Sequence, residues 1–241
     1  MTAQTLAVDY SFARPSLADI KAAGYVAVGR YLGADTSKCI SRDEARRIHR
    51  KGLGIFLVFE NAANRALGGK TAGVVDAHAA VNQANAVGLP KNCPIFFAVD
   101  FDTTAAQVRP YFEGVFSVLG DRSGVYGGIK VTEGLRDMIA YRWQTAAWSA
   151  GQVDPNAHLY QRLKMTHPIP QCDENVICHP FPLWVRRQGR LRRAVALTRG
   201  KAVEKARAVL ATAKGRGRRA KLIAAAQAAL DKIRPFPKKK H

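Results

Sequence analysis

PIFFAVDFD, residues 94–102, is an apolar run that closes on two carboxylates. Its aromatic and β-branched content and its short length read as a buried strand. Side chains two apart on a strand share a face, so Asp100 and Asp102 would emerge together, roughly 7 Å apart along it. That is the arrangement of a site or of a cap. The continuation Asp-Phe-Asp-Thr-Thr also suits a strand that runs into a capped helix over 103–119, and at this point both readings stand.

Working outward, residues 1–184 alternate short apolar runs with helical stretches, the pattern of an α/β fold on parallel strands. Strands read at 5–11, 25–31, 54–60, 94–100, 123–128, 144–149, 158–163 and 170–176. Helices fit at 16–23, 41–51, 70–87, 105–119 and 130–140, while the last gaps are too short for a crossover helix. Eight strands with about five helices predict an irregular TIM-type barrel. Polar residues gather at the C-terminal strand ends: Asp9, Glu60, Asp100 with Asp102, Tyr126, Gln144 with Trp148, Gln161 and Asp173. In a parallel barrel those ends form one mouth, where active sites are built. Single acids of this kind often cap helices or tie loops, but capping does not require six strands to end in acid, amide or phenol on the same rim.

The charge divides the chain. Over 241 residues there are 38 Lys and Arg against 18 Asp and Glu; residues 185–241 hold 19 against 2, or +17, and residues 1–184 hold 19 against 16, or +3. The reading is a barrel over 1–178, a Pro-rich linker over 179–184 and a basic tail over 185–241 whose apolar residues fall at helical spacing, a basic helical C-terminal extension. Such a tail suits an anionic polymer or nucleic acid, since charge attracts either without selecting. No apolar run is long enough for a transmembrane segment, and the start MTAQTLAVDYS lacks the charged and apolar regions of a signal peptide. Four scattered cysteines are too few for a disulfide scaffold. The series His167, Cys172, Cys178, His179 lacks the spacing of a common zinc finger, so no metal and no cofactor is expected. GVYGG at 124–128 lacks the Lys-Ser/Thr of a phosphate loop, and no elbow motif supports a Ser or Cys nucleophile.

DYSFARPSLADIKAAGYVAVGRYL, GLGIFLVFENAANRALGG, PIFFAVDFD, GVYGG and WQTAAWS, in that order, resemble the bacterial and phage glycoside-hydrolase-like domain related to Chalaropsis-type lysozymes, which are peptidoglycan muramidases. The resemblance covers residues 5 to about 176. It implies an incomplete TIM barrel with a sugar groove at the C-terminal rim. By the same resemblance Asp9 is the first-strand acid, Glu60 the third-strand acid, Asp100 and Asp102 the fourth-strand pair, and Asp173 with Asn175 the last-strand Asp-x-Asn. The lysozymes carry Asp-x-Glu on the fourth strand, with the Glu as proton donor; here that place is Asp102, one methylene shorter.

Glycoside cleavage needs one carboxyl protonated and one ionised, and crowded acids separate into those roles because they cannot all ionise. The expectation is therefore Asp102 as acid with Asp100 holding its proton state, and Asp9 or Glu60 facing the anomeric carbon. Tyr126, Trp143 and Trp148 would offer faces to sugar rings, although for any single aromatic the core is the commoner place. Gln144, Gln161 and Asp173 complete the expected binding set. The function so implied is a peptidoglycan-directed hydrolase with a cationic anchor, made in the cytoplasm and acting at the cell wall as a phage lysin or virion component. The alternatives are an inert glycan-binding or structural virion module, and a nucleic-acid-associated protein acting through its tail.

Overall fold

The computed structural model of the chain describes residues 4–185. Eight strands close into a barrel in chain order: β1 (Leu6–Asp9), β2 (Ala27–Leu32), β3 (Gly54–Phe59), β4 (Ile95–Ala98), β5 (Ser123–Gly127), β6 (Tyr141–Thr145), β7 (Leu159–Gln161) and β8 (Asp173–Ile177). Neighbours pair in parallel from β1 to β7. By contrast β8 runs antiparallel to both β7 and β1, with Asp9 opposite Asp173. The sequence reading made the barrel parallel throughout. The loop between β7 and β8 is too short to carry a crossover helix, so the chain turns back. The consequence is that Asp173 reaches the mouth as the first residue of its strand, at the level where the other strands finish.

Five helices lie outside: α1 (Leu17–Ala22), α2 (Arg42–Arg50), α3 (Gly69–Val87), α4 (Ala105–Leu119) and α5 (Ile129–Thr132). Ser16 and Ser41 cap α1 and α2 by accepting from the backbone N–H three residues on. At α4 the capping residue is Thr104, whose backbone N–H donates to Gln107 Oε1 at 3.3 Å, so Asp102 is not needed as a cap. The helix α5 is a single turn, capped at Glu133, where the sequence suggested 130–140, and just beyond it Gly134 passes so close to α4 that a Cβ would stand 2.4 Å from Ala105 Cβ.

Alternation along the strands makes two apolar layers. Val8, Val28, Leu57, Phe97 and Val125 face the helices, while Ala7, Ala27, Phe56, Val58, Phe96, Ala98, Trp143 and Leu159 fill the barrel. Large rings fit inside because glycines face them: a Cβ on Gly29 would lie 2.6 Å from the Phe56 ring, and one on Gly124 would lie 2.7 Å from the ring of Phe96. Residues 179–184, read as a linker, lie against the barrel. Phe181 meets Phe56 and Phe96 edge to face, and Trp184 is buried and exchanges two 2.9 Å backbone hydrogen bonds with Ile55. Beyond Val185 the basic helical extension lies outside the described residues. Among those described, no helix is long and apolar enough to cross a membrane.

Candidate active site at the mouth of the barrel

The inward alternation that buries Ala7 places Asp9 one step higher, fully buried, at the floor of the mouth. Its Oδ2 accepts from Asn175 Nδ2 at 2.7 Å and from Gln161 Nε2 at 3.0 Å, while Oδ1 has no hydrogen-bond partner. Burial pushes its pKa up to about 7; the Asn175 hydrogen bond opposes this, Asp173 adds to it, and Gln161 and Arg30 oppose it. Around Asp9, Tyr126 donates to Gln161 Oε1 at 2.7 Å and the Trp143 indole donates to Asn175 Oδ1 at 2.7 Å.

Above this floor stand Glu60, Asp100 and Asp173. Lys38 Nζ lies 3.0 Å from Glu60 Oε1 and 5.3 Å from the centroid of the Tyr31 ring. Asp100 is half-buried and its pKa is raised, first by desolvation and then by Glu60, with Lys38 pulling the other way and Asp173 adding a smaller push. Desolvation also raises the Asp173 carboxyl, although the residue as a whole is exposed. Tyr31 and Tyr126 are held well above the usual phenol range, chiefly by burial, with the surrounding carboxylates adding to it. Arg30, on the outward face of β2, positions the rim. Its buried guanidinium donates to Glu44 Oε1 at 2.7 Å, to Lys38 O at 2.9 Å and to the carbonyls of Tyr10 and Ser11, tying the exit of β1 and the Lys38 loop to α2.

Of the residues singled out in the sequence, Asp9, Glu60, Asp100, Tyr126, Gln161 and Asp173 thus come to one mouth, with Asn175 among them. Four others have different settings. Asp102 is more than half exposed, with Lys130 Nζ 3.4 Å away. Gln144 faces outward: β6 begins at Tyr141, three residues before the start read from the sequence, so Trp143 turns in and Gln144 turns out. Its side chain donates to Gln152 O and accepts from Asp154 N, holding the loop after β6. Trp143 is buried inside the barrel below Tyr126, ring centroids 4.9 Å apart, so its face is already covered. Trp148 is exposed on the loop after β6, in the left-handed region at φ 55°, instead of at a strand end.

Two members of the mouth had no strong sequence signal. Tyr31 is one of several strand tyrosines, and Lys38 lies in a loop among many basic residues. The alternation Ala27, Gly29, Tyr31 was the available cue for the first. The series His167, Cys172, Cys178, His179 is not gathered: Tyr25 stands beside His167, His179 Nε2 lies 2.7 Å from Pro155 O, and among the described residues no three potential ligands meet.

Comparison with known proteins agrees with this architecture. The pattern of the family described as "Rv2525c-like, glycoside hydrolase-like domain" matches residues 18–176. A Mycobacterium tuberculosis protein named "Putative peptidoglycan hydrolase Rv2525c" is 31% identical over 176 residues, 64% of this chain and 72% of that protein. The crystal structure of the Tat-secreted Rv2525c in complex with L-tartrate superposes with a TM-score of 0.70 at 28% identity, over 76% of this chain and 100% of that one. The Bacillus subtilis protein FadG is 33% identical over 109 residues, 42% of this chain, so the likeness spans only 19% of FadG. The lysozyme of Streptomyces coelicolor, at 14% identity with a TM-score of 0.50 over 73% of this chain and 92% of its own, shares the fold.

Proposed function

Because the chain belongs to the Rv2525c-like glycoside hydrolase-like family, we propose that it is a peptidoglycan-directed glycoside hydrolase whose reaction takes place over Asp9, Glu60, Asp100 and Asp173. The observation that carries this reading is the gathering of those four carboxyls on the inward face of one mouth, with raised pKa values at Asp9, Asp100 and Asp173 and an ion pair between Glu60 and Lys38. Acids pushed towards protonation beside an acid paired with a cation suit the division of roles that glycosidic cleavage uses. Asp100 acts as the proton donor to the leaving oxygen. Glu60, ion-paired with Lys38, faces the developing positive charge at the anomeric carbon. Asp9 holds the deep end of the site.

On this reading the protein works at the cell wall, as a lysin or virion-borne hydrolase would, and the +17 tail anchors it to an anionic wall polymer. The exposure of Asp102 beside Lys130 and the loss of the Asp-x-Glu pattern favour one other reading, a glycan-binding module without turnover. Release of soluble glycan fragments from purified peptidoglycan by the full chain, beside Asp100→Asn, decides between them. Release that disappears in the variant supports the hydrolase; wall binding without release by the wild type supports the binding module.

A further inference from the structure

Two chains of hydrogen bonds converge on the same oxygen of Asp9, and one of them begins at a group that can only donate. The Trp143 indole N–H has no acceptor capacity. At 2.7 Å from Asn175 Oδ1 it fixes the amide with Nδ2 turned to Asp9 Oδ2. On the other side Tyr126 donates to Gln161 Oε1 at 2.7 Å, and Gln161 Nε2 donates to Asp9 Oδ2 at 3.0 Å. The Asn175 amide cannot turn over without setting its N–H against the N–H of Trp143.

We infer that Trp143 is a positioning residue whose one-way hydrogen bond holds Asn175 Nδ2 on Oδ2 of Asp9, with Tyr126 supporting the second donor through Gln161, and that Oδ1 is left as the oxygen that takes up and gives off the proton. A proton on Oδ2 would point into an N–H of Asn175 or Gln161. By contrast Oδ1 is buried and has no hydrogen-bond partner. Other charged or titratable groups also bear on Asp9: Asp173 from β8, Arg30 and Tyr31 from β2, Tyr126 from β5 and Cys172 from the loop before β8. None of them supplies a donor to Oδ1. The assignment rests on the hydrolase reading only for its part in turnover, because the polarity of the two chains is a property of the protein alone.

The test is a 13C NMR titration of aspartate side-chain carboxyls in the full chain, with the Asp9 signal identified by its loss in Asp9→Asn. Trp143→Phe keeps a ring and deletes the indole donor, and Tyr126→Phe deletes the phenol. Each frees one amide to turn, removes a directed donor from the ionised carboxylate, and lowers the ionisation constant of Asp9 by about fivefold. A third variant, Phe56→Leu, disturbs packing on the Trp143 ring, whose centroid is 5.1 Å away, without touching either chain, and leaves the Asp9 titration in place. Should Trp143→Phe fail to fold, Tyr126→Phe carries the same test. A wild-type titration of Asp9 in either folded variant, or an equal displacement in Phe56→Leu, overturns the inference. No substrate enters the measurement, so absence of wall hydrolysis would sink the hydrolase reading and leave this result standing.

Discussion

Lys38 and Glu60, 22 residues apart in the chain, meet at 3.0 Å in the mouth, where Asp100 feels both charges. Glu60 pushes the Asp100 pKa up and Lys38 pulls it down, so replacing Lys38 by Gln releases the downward pull. Asp100 then keeps its proton to higher pH. If Asp100 is the donor, the high-pH limb of the wall-hydrolysis profile moves upward in Lys38→Gln. An unmoved limb would remove Asp100 from that role.

The choice between the two fourth-strand acids follows from their surroundings. Asp100 is half-buried among Glu60, Lys38 and Asp173, whereas Asp102 is exposed beside Lys130. General acids contribute about 10²- to 10⁴-fold, so Asp100→Asn loses about a hundredfold or more in release of wall fragments, while Asp102→Asn keeps most of it. The reverse order would return the donor role to Asp102, as the lysozyme resemblance implies.

Most of the barrel was legible because strand alternation and helix caps are local. The runs at 54–60 and 94–100 and the helix over 105–119 depend on nearest neighbours along the chain, and the structure reproduces them within a residue or two. Position at the C-terminal strand ends let Asp9, Glu60 and Asp100 be named together, whereas alternation paired Asp102 with Asp100 although the strand ends at Ala98 before both. The failures came where a choice is made in three dimensions. The reversal of β8 depends on loop length against barrel closure. The register of β6 turns on whether Trp143 or Gln144 takes the inner position, and a strand placed three residues late exchanges those faces. Lys38 reaches Glu60 from a loop that the buried Arg30 ties down, a contact with no spacing of its own in the sequence.

Asp9 ties the site to stability. Its pKa near 7 in the folded chain stands above the ordinary 3.8. Below about pH 4 both states are protonated and folding is not penalised. As pH rises towards 7 the unfolded chain ionises first, binds fewer protons and gains, and above 7 the full cost of about 4 kcal/mol is present. In Asp9→Asn the side-chain oxygen still accepts from Asn175 and Gln161 but never ionises. The variant therefore gains in thermal midpoint over the wild type as pH rises from 4 to 8. A constant difference across that range would mean that Asp9 is not held protonated by burial.

The contacts of residues 179–184 set the boundary of the folded body. Phe181 packs on Phe56 and Phe96, and Trp184 pairs with Ile55 and lies edge-on to His49, ring centroids 4.9 Å apart. Losing a buried Phe or Trp side chain costs about 3–5 kcal/mol, against a typical total stability of about 5–15 kcal/mol. A chain ending at Cys178 should therefore unfold at much lower urea than one ending at Val185. Equal midpoints would make 179–184 a dispensable linker.

The +17 carried by residues 185–241 against +3 for the rest of the chain makes the tail the natural holder of any polyanion. A cation-rich segment that neutralises anionic groups releases their counterions, so affinity falls steeply with salt, with a log-log slope of about −0.9 for each duplex phosphate contacted. Binding of the full chain to purified wall and to random-sequence DNA, measured at about 50 and 200 mM salt, should weaken by orders of magnitude between the two. A chain ending at Val185 should show little binding and little salt dependence, while any action on small soluble glycans survives. If the shortened chain bound wall as well as the full one, the anchor would lie in the barrel mouth. If the full chain held DNA tightly and wall not at all, the tail would be a nucleic-acid arm and the wall-anchor proposal would fall.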